Sequence, residues 1–186
     1  MRWDGLFADL EAQAEALDVA ERAAEIDERA RLEIGRIRLL DRLRPAVGLP
    51  VRLRCRGAVT VAGPLRRVGP DWLLVDEGGE REALVVLAAV LGVSGLARLS
   101  GVPDSEGVVE SRLGLRHALR GIARDRSAVR ITDQSGATVD GTIDRLGADY
   151  VEVAEHAAGE LRRRAEVRDV LVLPLAAVAV VRRAAG

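Results

Sequence analysis

Thr60-Val-Ala-Gly-Pro-Leu-Arg-Arg-Val-Gly-Pro-Asp-Trp72 returns later in the chain as Thr138-Val-Asp-Gly-Thr-Ile-Asp-Arg-Leu-Gly-Ala-Asp-Tyr150. Extended outward, residues 51–77 align without a gap on residues 129–155 at a constant offset of 78, and ten of the 27 positions are identical. An ungapped match of that length reads as an internal repeat. Leu87-Ala-Ala-Val90 then matches Leu175-Ala-Ala-Val178 at an offset of 88. The second copy has therefore gained ten residues, which the spacing places in a longer hairpin around His156–Asp169.

Each copy reads as a set of short strands. Val51-Arg-Leu-Arg-Cys-Arg56 alternates with period two, as a half-buried strand does. Val59, Val61, Gly63 and Leu65 continue on one face of a second strand, Trp72–Glu77 gives a third, and Ala83–Leu87 and Val90–Val93 give two more. Gly63 and Gly141 fall in mid-strand, where a missing Cβ permits a sharp bend. Gly69-Pro-Asp71 and Gly147-Ala-Asp149 read as hairpin turns, with each Asp bonding local backbone.

Residues 3–44 have helical periodicity instead. Trp3, Phe7, Leu10, Ala14 and Leu17 are spaced four and three apart, and Pro45 and Gly48 end the helix. Asp18-Val-Ala-Glu21 could be a capping box, which leaves open whether this arm is one helix or two. Ser94–Ser111 reads as a linker. Arg112–Ala123 reads as a short amphipathic helix with Leu113, Leu119 and Ile122 inward. The expected organisation is thus a helical arm over 1–44, a first strand unit over 45–94, a linker over 95–111, and a helix plus second unit over 112–186.

Composition narrows the chemistry. Aromatic residues are only 2%, so Val, Leu, Ile and Ala must fill the core. There is no Lys and no Asn, and all 28 basic residues are Arg. That bias points to a GC-rich genome such as an actinobacterial one. It also makes Arg the default surface cation. Without Lys there is no phosphate-loop or Schiff-base lysine. No dinucleotide-binding or Gly-x-Ser-x-Gly pattern occurs, and His117 and His156 fall in no metal-binding motif. The one cysteine, Cys55, reads as a small buried hydrophobe. No catalytic residue, cofactor site or metal site is expected.

The apolar runs Ala83–Val93 and Val170–Val181 fall short of the roughly 20 residues a spanning helix needs. No membrane segment and no secretory leader are expected, and the expected location is the cytoplasm.

The run V-x-G-x-L-x-x-V-G-x-D-W-L-x-V from Val61 to Val75, repeated as V-x-G-x-I-x-x-L-G-x-D-Y-V-x-V from Val139 to Val153, resembles the Sm-like superfamily of SH3-type small β-barrels. The resemblance implies a mainly β protein with an α-helical N-terminal arm and two tandem five-stranded Sm-like small β-barrels, each preceded by a helix. Sm-like proteins often bind RNA in rings through a loop Asn, and this chain has no Asn. The resemblance therefore implies the fold and leaves the ligand open.

Two surfaces remain. Leu6, Phe7, Leu10 and Leu17 offer an apolar stripe for self-association or for another protein, and exposed strand edges invite pairing, including pairing of the two units with each other in the manner of neighbours in a ring. The leading expectation is a non-enzymatic binding or scaffolding protein using the arm and the barrel edges. The alternative is an RNA- or DNA-binding regulator. It would use Arg52, Arg54 and Arg56 on one strand face, Arg66 and Arg67 nearby, Arg116, Arg120 and Arg124 at helical spacing, and Arg162, Arg163 and Arg164 in the inserted hairpin. A net charge of −1 and the scarcity of aromatics favour the first.

Overall fold

The computed structural model describes residues 3–79, 81–97, 101, 113–156 and 169–183, and, within the first helix, the side chains of residues 13, 15, 17, 21, 22 and 24–36. The chain divides into two compact units, Met1–Arg38 and Leu39–Gly186.

The first unit is one helix, α1 (Trp3–Arg36). It passes through Asp18 without a break, because no Pro or Gly lies between Gly5 and Gly35 to interrupt an Ala- and Glu-rich run. Leu17, Ile26, Leu32 and Ile34 are exposed. At 3.6 residues per turn the last three stand about 180°, 60° and 100° around the axis from Leu17. The stripe begun by Trp3 and Phe7 does not continue as a single face.

The second unit opens with α2 (Leu39–Leu43) and a 3₁₀ turn at Arg44–Ala46, where Pro45 ends helical hydrogen bonding. Five strands follow: β1 (Pro50–Cys55), β2 (Thr60–Val68), β3 (Trp72–Gly78), β4 (Arg81–Val86) and β5 (Val90–Ser94). Then come α3 (Leu115–Arg124) and five more strands: β6 (Ala128–Asp133), β7 (Thr138–Leu146), β8 (Tyr150–Glu155), β9 (Val170–Pro174) and β10 (Val178–Arg183). The linker expected over 95–111 and the body of the inserted hairpin lie largely outside the described residues.

The two sets of strands carry the same internal pairing. Val51 faces Gly63 as Val129 faces Gly141, and Leu65 faces Val75 as Ile143 faces Val153. Both second strands bulge at the next position, between Leu65 and Arg67 and between Ile143 and Arg145. Leu53 faces Val93 as Ile131 faces Val181. Both mid-strand glycines are required by a close approach: a Cβ on Gly63 would stand 1.8 Å from the Asp76 carbonyl oxygen, and one on Gly141 would stand 2.2 Å from that of Ala154.

The expectation of two separate closed barrels is overturned. The strand order is β5-β1-β2-β3-β4-β10-β6-β7-β8-β9, one open antiparallel sheet of ten strands. Neither set closes on itself. Once β3 has paired with one side of β4, and β6 with one side of β10, each strand still has a row of backbone donors and acceptors to satisfy. Pairing β4 with β10 satisfies both rows. A single core runs through the joint, with Leu53, Val61, Leu65, Val75 and Val85 from one set and Val129, Ile131, Val151, Val153 and Val180 from the other.

α3 packs on β7 of the second set, and its start is tied to the first set. Leu115 and Leu119 are buried, the Leu115 amide donates to Asp71 Oδ1 at 2.7 Å, and Trp72 Nε1 donates to the Leu113 carbonyl at 2.7 Å. Asp71, expected to cap its own turn, instead caps a helix 44 residues away, because Gly114 at the helix start has no side chain to do so. Among the described residues no helix is long and apolar enough to cross a membrane.

Candidate functional site

The most informative surface of the sheet is its pair of outer edges. β4 and β10 meet inside the sheet, with Val180 opposite Val85, Val181 opposite Leu84 and Arg182 opposite Ala83. Their counterparts in the other set, β9 and β5, are the two outermost strands. In the inner joint, Ala83–Val86 and Val178–Val181 are all buried. At the outer edges the matching residues are half-buried or exposed: Val90, Val93 and Leu173 still pack on the core, whereas Val172 is 55% exposed and Leu91 54%. β9, Val-Leu-Val-Leu-Pro, carries no charge at all. Natural edge strands are usually guarded by charge, shortness or Pro; β9 is five residues long and ends in Pro174, but it has no charged guard.

The inner joint is also clamped. Arg182 Nε donates to Glu77 Oε2 at 2.7 Å and its Nη2 donates to Oε1 at 3.1 Å, a two-pronged pair whose side chains are 24% and 18% exposed. At the outer edges the repeat places Ser94 where Arg182 stands and Glu155 where Glu77 stands. The acid has been kept there and the base has not.

The Arg residues singled out in the sequence fall into different environments. Arg52 and Arg54 stand exposed on the outer face of β1, with Arg56 one residue beyond the strand. Arg66 is held in an ion pair with Asp76, which, with the Gly78 amide, holds the Asp76 carboxyl below its usual range. Arg67 borders a cavity of about 290 Å³ floored by Trp72, Leu74, Leu84, Ile122 and Val181. Arg116, Arg120 and Arg124 are exposed along α3. Arg162, Arg163 and Arg164 lie outside the described residues, as do the side chains of Leu6, Phe7 and Leu10. Leu17 is 65% exposed on α1.

Arg52 and Arg54 line a second cavity, of about 340 Å³, together with Thr60, Gly92, Val93 and Ser94. No pattern in the sequence had joined these Arg to residues of the fifth strand. The register does: Arg52 pairs with Ser94 and Arg54 with Gly92.

Three further groups have structural roles. His156 is buried, with its Nε2 2.7 Å from the buried Thr142 Oγ1. Cys55 is buried, and burial pushes its thiol above the ordinary value against the opposing charge of Arg182. Asp133 accepts hydrogen bonds from the Ser135 hydroxyl and the Ser135 and Ala137 amides, which hold its carboxyl below the ordinary 3.8. Among the described residues no three His, Cys, Asp or Glu gather as metal ligands.

No protein-family model matches this chain, and no curated protein matches it.

Proposed function

We propose that this chain is a non-enzymatic scaffolding protein of the cytoplasm that assembles head to tail, β9 of one copy adding to β5 of the next. One observation carries the reading: the strands left open at the two ends of the sheet are the repeat counterparts of the strands already joined in its middle. Transferred to the ends, the inner register sets Gly92 against Leu173, Val93 against Val172 and Ser94 against Leu171 of another copy. Such a contact uses two different surfaces, so repetition gives a ring or a filament rather than a closed pair. The Sm-like resemblance belongs to this reading. In each set the fifth strand lies beside the first, followed by the second, third and fourth. The arm would add a second contact through Leu10 and Leu17.

Sedimentation velocity of the full chain over a range of concentrations tests the proposal. The mass of the wild type is expected to rise with concentration. Val172→Lys places a charge on an exposed edge position and should return the protein to single chains with an unchanged circular dichroism spectrum. A wild type that stays monomeric throughout, or a Val172→Lys variant that assembles like the wild type, overturns it.

A further inference from the structure

The two halves of the sheet differ at one face in a coordinated way. In the second half Arg130 lies opposite Asp140 and is neutralised by it, Nε to Oδ1 at 2.8 Å and Nη2 to Oδ2 at 2.9 Å. In the first half the same Arg is kept as Arg52, but the residue opposite is Ala62. Its neighbour two positions on has changed from Thr132 to Arg54. On the adjoining strand the residue beside that neighbour has changed from Val180 to Gly92. A Cβ on Gly92 would stand 3.4 Å from Arg54 Nη2, in ordinary contact, so the guanidinium lies beside the open position of the missing side chain. Relative to the second half, the first half lacks an acid, has a further cation, and has no side chain beside that cation.

These changes converge on the 340 Å³ cavity. It is lined by two guanidinium groups, the hydroxyl-bearing Thr60 and Ser94, Gly92 and Val93, and by no carboxylate. Among the described residues neither Arg52 nor Arg54 makes an ion pair. From this we infer that the face of β1 and β5 is a binding site for a small phosphate-bearing molecule, with Arg52 and Arg54 as the charge partners and Thr60 as a hydroxyl donor, while the Ser94 hydroxyl, which donates to the Arg52 carbonyl at 3.5 Å, would have to turn to join them. Guanidinium forks match the paired oxygens of a phosphate, and a tetrahedral oxyanion can take hydrogen bonds from several directions at once. The lining favours a compact ligand over a polymer: Arg56 is not among the lining residues, and neither is an aromatic ring on which a base could stack. Codon bias toward Arg does not account for the site, since the same bias left the second half neutral at the matching positions.

The test transplants the second half's acid into the first. Inorganic phosphate and pyrophosphate are titrated into the full chain by isothermal calorimetry, with ³¹P line broadening as a second readout. The wild type should bind pyrophosphate saturably. Ala62→Asp should weaken binding at least about tenfold, because the new carboxylate would pair with Arg52 as Asp140 pairs with Arg130. Ala62→Asn, similar in size and uncharged, should stay within about threefold of the wild type. Arg52→Ala/Arg54→Ala should abolish binding without lowering the melting temperature. Absence of saturable binding to either anion overturns the inference, as does equal binding by the Ala62→Asp and Ala62→Asn variants. Binding only to a mixed-sequence oligonucleotide or to anionic phospholipid vesicles, run in parallel, would also overturn it. The site does not need edge assembly, but the two proposals share Gly92 and Ser94: in an assembled array Leu173 and Leu171 of the next copy would stand beside them and Glu155 near Ser94, so the Val172→Lys variant should bind at least as tightly as the wild type, and each proposal can still fail alone.

Discussion

Replacing Ser94 with Arg would give the outer edge the clamp that the inner joint already has. In a head-to-tail contact the new guanidinium would face Glu155 of another copy, as Arg182 faces Glu77. The inner pair is two-pronged, with side chains about four-fifths buried. Exposed ion pairs contribute about 0.2–1 kcal/mol, and hydrogen bonds to well-buried charges about 1.5–3 kcal/mol. A pair with this burial belongs between them, at about 1.5 kcal/mol, which is roughly a tenfold fall in dissociation constant. Sedimentation equilibrium in phosphate-free buffer would measure it. Glu155→Gln alone should have little effect, whereas Ser94→Arg combined with Glu155→Gln should lose most of the gain. If Ser94→Arg leaves association unchanged, or tightens it equally with and without Glu155, the transferred register is wrong.

Gly63→Ala should cost about 3 kcal/mol or more in urea unfolding, since its Cβ would overlap the Asp76 carbonyl. Gly121→Ala, on α3 with open space around it, should instead stabilise by about 0.5–1 kcal/mol. Asp133→Asn should lower the melting temperature at pH 7, and the loss should shrink steadily as pH falls below 3.8. A carboxyl held below 3.8 by its folded partners contributes stability above that pH and loses it as pH falls through the depressed value, so a loss that does not shrink with pH would contradict the Asp133 turn. Leu10→Asp/Leu17→Asp should leave strand signals in circular dichroism intact while lowering the assembly mass, and an unchanged mass would remove the arm from the interface.

The strands were readable because period-two alternation fixes their positions, and the offset of 78 implies that whatever pairs in one copy recurs in the other, as Val51 with Gly63 recurs in Val129 with Gly141. That the two units could pair edge to edge was readable from their exposed strands, but that β4 and β10 make the joint was not. The joint is made by backbone groups, and Ala83–Val86 looks like any buried strand whether its neighbour is local or distant. For the same reason closure of each set into a barrel was the natural but mistaken expectation. The Arg52 site was half legible. Ala62 and Asp140 stand at matching places in the repeat, but which Arg each faces depends on register. The hydrogen bond between His156 and Thr142 left no trace in the sequence, because neither residue type nor spacing distinguishes a buried imidazole from a solvated one. Asp71 was misread because its partner, the start of α3, is distant in sequence.

A peptide chain now guarantees one of every two junctions in any head-to-tail array of this protein. Such arrays would therefore contain only even numbers of five-strand modules, and their growth would depend on the untethered junction together with any contact of the arm. Ligands or substitutions that act on β5 and β9 would set the length of such an array, while the tethered partnership between β4 and β10 would persist at any dilution.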